Sequence, residues 1–258
     1  STAEFLMPIT IIYALTIMDW RNIWIIISAS IILFLPLVSY FLVKEVKLSS
    51  REDDIEIVKE NIKQWKRSEV IKDYRFIIIA LNMLAMPWIA TGIFVYQSFI
   101  LSAKNWGEYT IAQSFMVYSI ASVLTLFVAG YLIDKFTSRK LLIYMNIPFL
   151  ISLLILIYFQ SPISSFFFLG LIGVSNGFAN VLGSSTWAEL YGVKFIGSIK
   201  ALTTALMVFS TAFGTAFFGL MIDFDFSIEQ ISMISGGYIL ISLILLFLIK
   251  NKLNPTIL

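Results

Sequence analysis

Long apolar runs separated by short polar breaks dominate this chain. Eight runs, at about residues 2–20, 24–43, 75–103, 109–134, 140–160, 164–190, 197–223 and 230–250, are each close to the roughly 20 residues that an α-helix needs to cross a bilayer core. The breaks between them hold charged or turn-forming groups: Asp19-Trp20-Arg21-Asn22, Lys104-Asn105-Trp106-Gly107-Glu108, Asp134 to Lys140, Gln160-Ser161-Pro162, Tyr191-Gly192 and Asp223 to Ser227. Runs of this length and number predict an all-α fold, a polytopic membrane helix bundle, in which lipid replaces water as the medium around the helices.

One polar interval is longer than the rest. From Lys44 to Asp73 basic and acidic residues alternate in balance, which marks a linker and not a domain. Within it Ile55, Val58, Ile62 and Trp65 recur at helical spacing, so the segment reads either as an amphipathic helix on the membrane surface or as a charged flexible tether. The predicted division is therefore 1–43 (two helices), 44–74 (linker) and 75–258 (six helices). The opening run has no basic flank and no cleavage site, so it is not a signal peptide. Its helix is expected to begin before Ser1, which makes the sequence a piece of a longer one.

Composition narrows the function. Apolar residues make up 59% of the 258 positions and charged residues 13%, with a mean hydropathy of +0.90; soluble domains run at about 45–50% and about 25%. A net charge of +2 without a basic patch argues against a nucleic-acid partner. With no cysteine and no histidine, thiolate chemistry, the commonest general base and the commonest transition-metal ligands are absent, so no metal and no cofactor is expected. The placement of basic residues is more telling. If the 44–74 linker is cytoplasmic, 16 of the 18 Lys and Arg fall on that side, and Arg21 and Lys104 alone fall on the other. The positive-inside rule then puts the linker and the carboxy terminus in the cytoplasm of a cell with a bacterial-type inner membrane. Trp20, Trp24 and Trp106 at outer ends and Trp187 at an inner end fit an aromatic belt.

The loop after the fourth run reads Gly130-Tyr131-Leu132-Ile133-Asp134-Lys135-Phe136-Thr137-Ser138-Arg139-Lys140. It is similar to the loop motif G-x-L-x-D-[RK]-x-G-R-[RK]-[RK] of the major facilitator superfamily, with Thr137 and Ser138 where the motif has Gly and its first Arg. Trp187-Ala188-Glu189-Leu190-Tyr191-Gly192 followed by Gly197-Ser198-Ile199-Lys200 resembles the junction of helices ten and eleven in bacterial members. The order of two spans, charged linker and six spans resembles helices five to twelve of that family, so eight transmembrane helices of an expected twelve are present. The sugar-transporter motif that follows helix six is missing, since Val43 to Ser50 reads VKEVKLSS.

The resemblance implies a monomeric secondary transporter of a small-molecule solute, with or without a coupling proton or ion, working by alternating access in the lipid bilayer. It also implies adjacent cytoplasmic loops, where Asp134 and Arg139 can pair and Glu189 can join them. Asp134 would further face the first helix near Thr2 and Ala3. Asp134, Arg139, Lys140, Glu189 and Lys200 are the expected conformational gate.

No Asp, Glu, Lys or Arg occurs at 76–103, 141–188 or 201–222, so these spans offer no embedded charge to titrate or to hold a charged solute. The polar residues that remain are uncharged. Gly173, Asn176, Gly177, Asn180 and Ser184 share one helical face, as do Thr203, Met207, Ser210, Thr211 and Gly214. The small residues read first as packing contacts. For Asn176 and Asn180, a cavity and a polar contact between helices stand as equal alternatives. The third run is interrupted by Pro87 and Gly92 and carries Thr91, Tyr96 and Gln97. In the family this helix lines the central cavity with the sixth span, and the fourth span, with Gln113 and Tyr118, lies beside them. The expected cavity residues are thus Thr91, Tyr96, Gln97, Gln113, Tyr118, Asn176, Asn180 and Ser210. The nearly all-apolar second, fifth and eighth runs are expected to face lipid. The alternative function is a membrane-embedded enzyme with a rim site around Asp134, Glu189 and Lys200, for which catalytic His, Cys and paired acids are lacking.

Overall fold

The computed structural model of the chain describes residues 10, 11, 13–43 and 63–255, and among these the regular structure is entirely helical. The described residues fall into two units, 10–43 and 63–255, the second including the end of the linker. Ile55, Val58 and Ile62 of the expected amphipathic face, and Thr2 and Ala3 near the expected contact of Asp134, lie outside the described residues.

In the first unit residues 10, 11 and 13–15 are helical and α1 spans Trp20–Val43. The boundary is earlier than the sequence pattern suggests. Asp19 accepts the Trp20 N–H on its carboxylate (3.1 Å) and the Asn22 N–H on its carbonyl (3.0 Å), so Trp20, Arg21 and Asn22 form the first helical turn and not a loop.

The second unit contains α2 (Tyr74–Val95), α3 (Gln97–Lys104), α4 (Glu108–Phe136), α5 (Ser138–Met145), α6 (Ile147–Tyr158), α7 (Ser164–Tyr191), α8 (Ile196–Asp223) and α9 (Ile228–Ile249). The third to eighth expected spans are all found: with α5 and α6 forming one run, six helices are long and apolar enough to cross a membrane. Two spans are broken where sequence chemistry allows it. In α2 the stretch Met86–Ala90 winds as a π-helix around Pro87, which has no N–H to give to the carbonyl of Met83. Buried Asn146 leaves helical geometry between α5 and α6, and Pro148 occupies the first turn of α6.

The α7 helix is the centre of the unit, packed along α4 and against α5, α6 and α8; α9 lies on α6 and α2, and α8 crosses the π turn. Close approach explains the α4–α7 crossing. A Cβ on Gly173 would lie 2.3 Å from the Tyr118 carbonyl oxygen, and one on Gly177 2.6 Å from that of Ser122, so these two positions need glycine for backbones to touch. Between α2 and α8 the contact is made by Gly214 against the Trp88 carbonyl.

Trp65 of the linker lies in non-helical backbone, its N–H donating to the Tyr191 carbonyl at 3.1 Å and its ring edge-on to Tyr191 at 5.5 Å. After it, Glu69 accepts the Lys66 N–H at 2.8 Å and pairs with Lys63 at 3.0 Å. The backbone hydrogen bond first, and then Lys63, hold its carboxyl below the ordinary range.

The described part of the second run, α1, is largely exposed, but within the second unit the nearly all-apolar fifth and eighth runs are not the most exposed. The run formed by α5 and α6 is 44% buried, against 22% for α4 and 17% for α8. Phe149, Leu153 and Leu156 of α6 pack inward, while Phe127 and Val128 of α4 and Val208 and Phe209 of α8 point out. Hydrocarbon tails and a protein interior are equally apolar, so composition does not separate them.

Candidate functional site

The π turn of α2 widens the helix where α4, α7 and α8 converge, and a cavity of about 240 Å³ opens there. Its lining holds Met83, Met86, Pro87, Thr91 and Phe94 of α2, Tyr118 of α4, Asn176, Asn180, Gly183 and Trp187 of α7, and Thr203 and Met207 of α8. Among the described residues, no charged side chain lines it. Asn176 donates its Nδ2 to Ser122 Oγ of α4 (3.0 Å), and Asn180 donates its own to the Asn176 carbonyl (3.0 Å). Each amide thus commits one N–H inside the bundle and keeps an oxygen that no described residue engages. Both alternatives for Asn176 hold together: it joins two helices and lines the cavity.

Of the expected cavity residues, Thr91, Tyr118, Asn176 and Asn180 line this space. Ser210 does not; it is buried and its hydroxyl donates to the Leu84 carbonyl at 3.2 Å, just before the π turn. Gln113 is exposed on another face of α4. Gln97 borders a separate small void beside Ile100 and Phe168, and Tyr96 stands at the break between α2 and α3, its hydroxyl against Gly219. Tyr96 and Gln97 follow the π turn and the break after Val95, where straight-helix phase no longer holds, while Gln113 and Ser210 lie on other faces of α4 and α8, and spacing along one helix does not say which face meets a neighbour. Trp187 and the methionines escaped the reading because a large apolar residue on a helix reads as core by default.

Around the cavity, other donors steady the segment that precedes the π turn. Tyr238 donates to the Leu81 carbonyl (2.7 Å), Asn146 Nδ2 to the Asn82 carbonyl (2.6 Å) and Asn82 Nδ2 to Ser242 Oγ (3.3 Å). Trp88 is clasped behind it by Tyr238, Phe213 and Phe217.

At the helix ends that carry the loop motif, Glu189 of α7 accepts hydrogen bonds from the Ser138 N–H (3.0 Å), the Ser138 hydroxyl and Arg139 Nε. Arg139 Nη1 then donates to the Leu253 carbonyl and to Asn254 Oδ1, both at 2.8 Å. Arg75 donates to the Asn254 carbonyl (2.8 Å) and pairs with Asp73 (2.8 Å), whose Oδ2 also accepts from the Tyr191 hydroxyl (3.1 Å). A polar chain therefore runs from α7 through the motif loop and the 253–254 segment back to α2. Arg139 and Glu189 meet as expected, but Asp134 does not join them. Asp134, Lys140 and Lys200 have exposed side chains with no partner among the described residues, because α4 ends by turning Asp134 outward while Ser138 and Arg139 turn toward α7. The rim constellation of Asp134, Glu189 and Lys200 is accordingly not assembled. Ser138, where the motif has Arg, is a ligand of Glu189 that the sequence offered no means to assign.

Two belt assignments change, one at each end of the unit. Trp106 is buried, its indole N–H donating to the Gln160 carbonyl at 2.9 Å, and Trp187 is enclosed between Phe76 and Tyr191. Lys104 is not a solvated flank either: its side chain is fully buried and its Nζ lies 2.7 Å from Glu229 at the start of α9.

The family model described as Major Facilitator Superfamily matches residues 1–215 and, in a second placement, 77–257. No curated protein and no solved structure matches the chain. Apolar helices of membrane length, arranged around an uncharged cavity and matched from end to end, make this a multi-pass membrane protein. The chain belongs to the major facilitator superfamily, whose members are membrane transporters that bind small solutes, some with a coupled ion.

Proposed function

We propose that the chain carries the solute pathway of a secondary active transporter that moves a small, uncharged organic molecule by alternating access. The observation that carries this is the cavity at the π turn. Its wall offers the amide oxygens of Asn176 and Asn180 and the hydroxyl of Thr91 to hydrogen-bond donors, and Met86, Phe94, Tyr118 and Trp187 to an apolar body. A formally charged solute would meet no counter-charge there and would lose its hydration without return. In this reading residues 1–43 belong to one bundle and 75–258 to the other, joined by a cytoplasmic linker at 44–74. The ends bearing the loop motif face the cytoplasm of a cell with a bacterial-type inner membrane, as the basic residues suggest. The protein works as a monomer. Arg139 and Glu189 form the latch on the cytoplasmic side, and Asp134, Lys140 and Lys200 are left exposed to engage groups outside this bundle in another conformation.

The test is uptake of radiolabelled neutral organic solutes into sealed vesicles containing the full chain, with and without an imposed pH gradient. Accumulation that Asn180→Ala weakens, with helix content and melting temperature unchanged, supports the reading. Conversion of a solute to product in detergent, without vesicles, would instead place the protein among enzymes.

A further inference from the structure

A second pocket, of about 540 Å³, lies outside the solute cavity, between the end of α4, α5 and the 3-10 turn Lys250–Lys252 that closes α9. Two kinds of residue line it. Arg139, Lys140 and Lys250 supply cations, and Phe136, Leu141 and Tyr144 supply apolar surface. No carboxylate is among the lining residues. Arg139 is held by Glu189 and by the 253–254 segment, so its charge is partly met. No carboxylate among the described residues meets the other two. Lys140 has no partner among the described residues, and Lys250 rests its Nζ 3.7 Å from the centre of the Phe247 ring. Of the acids on the packed elements, Asp134 is exposed outside the lining and Glu189 is engaged with Arg139 and Ser138.

The pocket sits at the ends of three membrane-length helices, where lipid headgroups lie when such helices span a bilayer, and the Phe136 and Tyr144 side chains in its lining are exposed. A phosphate bound by lysines with hydrocarbon against adjoining aromatic rings is the chemistry of a phospholipid, and basic pockets between helix ends are suited to anionic ones. We propose that this pocket binds the headgroup of an anionic phospholipid. Lys140 and Lys250 hold the phosphate beside Arg139, and Phe136 and Tyr144 take the first part of the acyl chains. Bound lipid would bridge the motif loop to the end of α9, two segments already joined by Arg139.

The experiment measures how much phosphatidylglycerol and phosphatidylcholine the purified full chain retains from mixed micelles, by native mass spectrometry. Lys140→Gln with Lys250→Gln is compared with a control pair of exposed lysines at the same helix ends but outside the pocket, Lys72→Gln with Lys194→Gln. Loss of one basic contact near the membrane surface lowers affinity about fivefold, so the pocket pair is expected to lower phosphatidylglycerol retention by about 25-fold. The control pair should leave retention within about twofold, and millimolar inorganic phosphate should leave it unchanged. An equal loss in both pairs, equal retention of phosphatidylcholine by the unaltered chain, or full displacement of lipid by inorganic phosphate overturns the proposal. These lysines are exposed and form no ion pair among the described residues, so melting temperature is expected to change little in any variant and equally in the two pairs. If solute uptake fails in vesicles but the lipid result holds, this site stands apart from the transport reading.

Discussion

Arg139 and Glu189, separated by 50 residues, are joined by a hydrogen-bonded ion pair in which Glu189 also accepts two bonds from Ser138 and Arg139 also reaches the 253–254 segment. One carboxylate thereby ties the loop between α4 and α5 to the end of α7. Both side chains remain partly exposed, so the pair is worth less than a buried one, yet it is more than a surface contact because every group has several partners.

Arg139→Gln and Glu189→Gln should each lower unfolding stability in detergent by about 1–2 kcal/mol, and the double variant by less than the sum, since the lost bonds are shared. Chemical denaturation followed by tryptophan fluorescence measures the cycle. Strict additivity would mean that the two residues act independently. In vesicles, the same variants are expected to alter the rate of solute exchange if the pair latches one conformation.

Gly173→Leu should destabilise the α4–α7 crossing by about 3 kcal/mol or more, because its Cβ would sit 2.3 Å from the Tyr118 carbonyl and backbone cannot yield. Gly183→Ala is the matched contrast. That position lines the cavity with nothing within 4 Å of an added Cβ, so its melting temperature should hold while solute affinity changes.

The Lys104–Glu229 pair predicts an asymmetry. The Lys104 side chain is wholly buried and that of Glu229 is 31% exposed, so Glu229→Gln strands an ammonium in the interior and should cost about 3–5 kcal/mol. Lys104→Met leaves a carboxylate that water can still reach and should cost clearly less. Equal effects in thermal unfolding would show that burial does not govern the pair.

Thr137 has φ 72° and ψ 147°, a region that glycine tolerates and other residues rarely adopt, and its buried hydroxyl has no partner among the described residues. Thr137→Gly should therefore raise stability by about 1 kcal/mol, read as an upward shift in melting temperature. A drop would show that the methyl and hydroxyl pack better than the geometry indicates.

The residue pattern alone was enough to find the six membrane-length helices, because bilayer thickness imposes a run length that few other constraints produce. It also marked the motif loop, the irregularity at Pro87, and the absence of charge in the spans that surround the cavity. Only the tertiary structure decided which side each apolar face meets, since lipid and protein interior exclude water equally well. It alone decided that Ser210 serves the Leu84 carbonyl while Asn180 opens to the cavity, that Lys104 is buried and Lys140 free, and that Glu189 takes Ser138 and Arg139 but not Asp134. Ser210, Lys104 and Glu189 find partners 50 residues or more away in the chain, and the packing of other helices sets the exposure of Asn180 and Lys140, neither of which is written in the spacing of one helix.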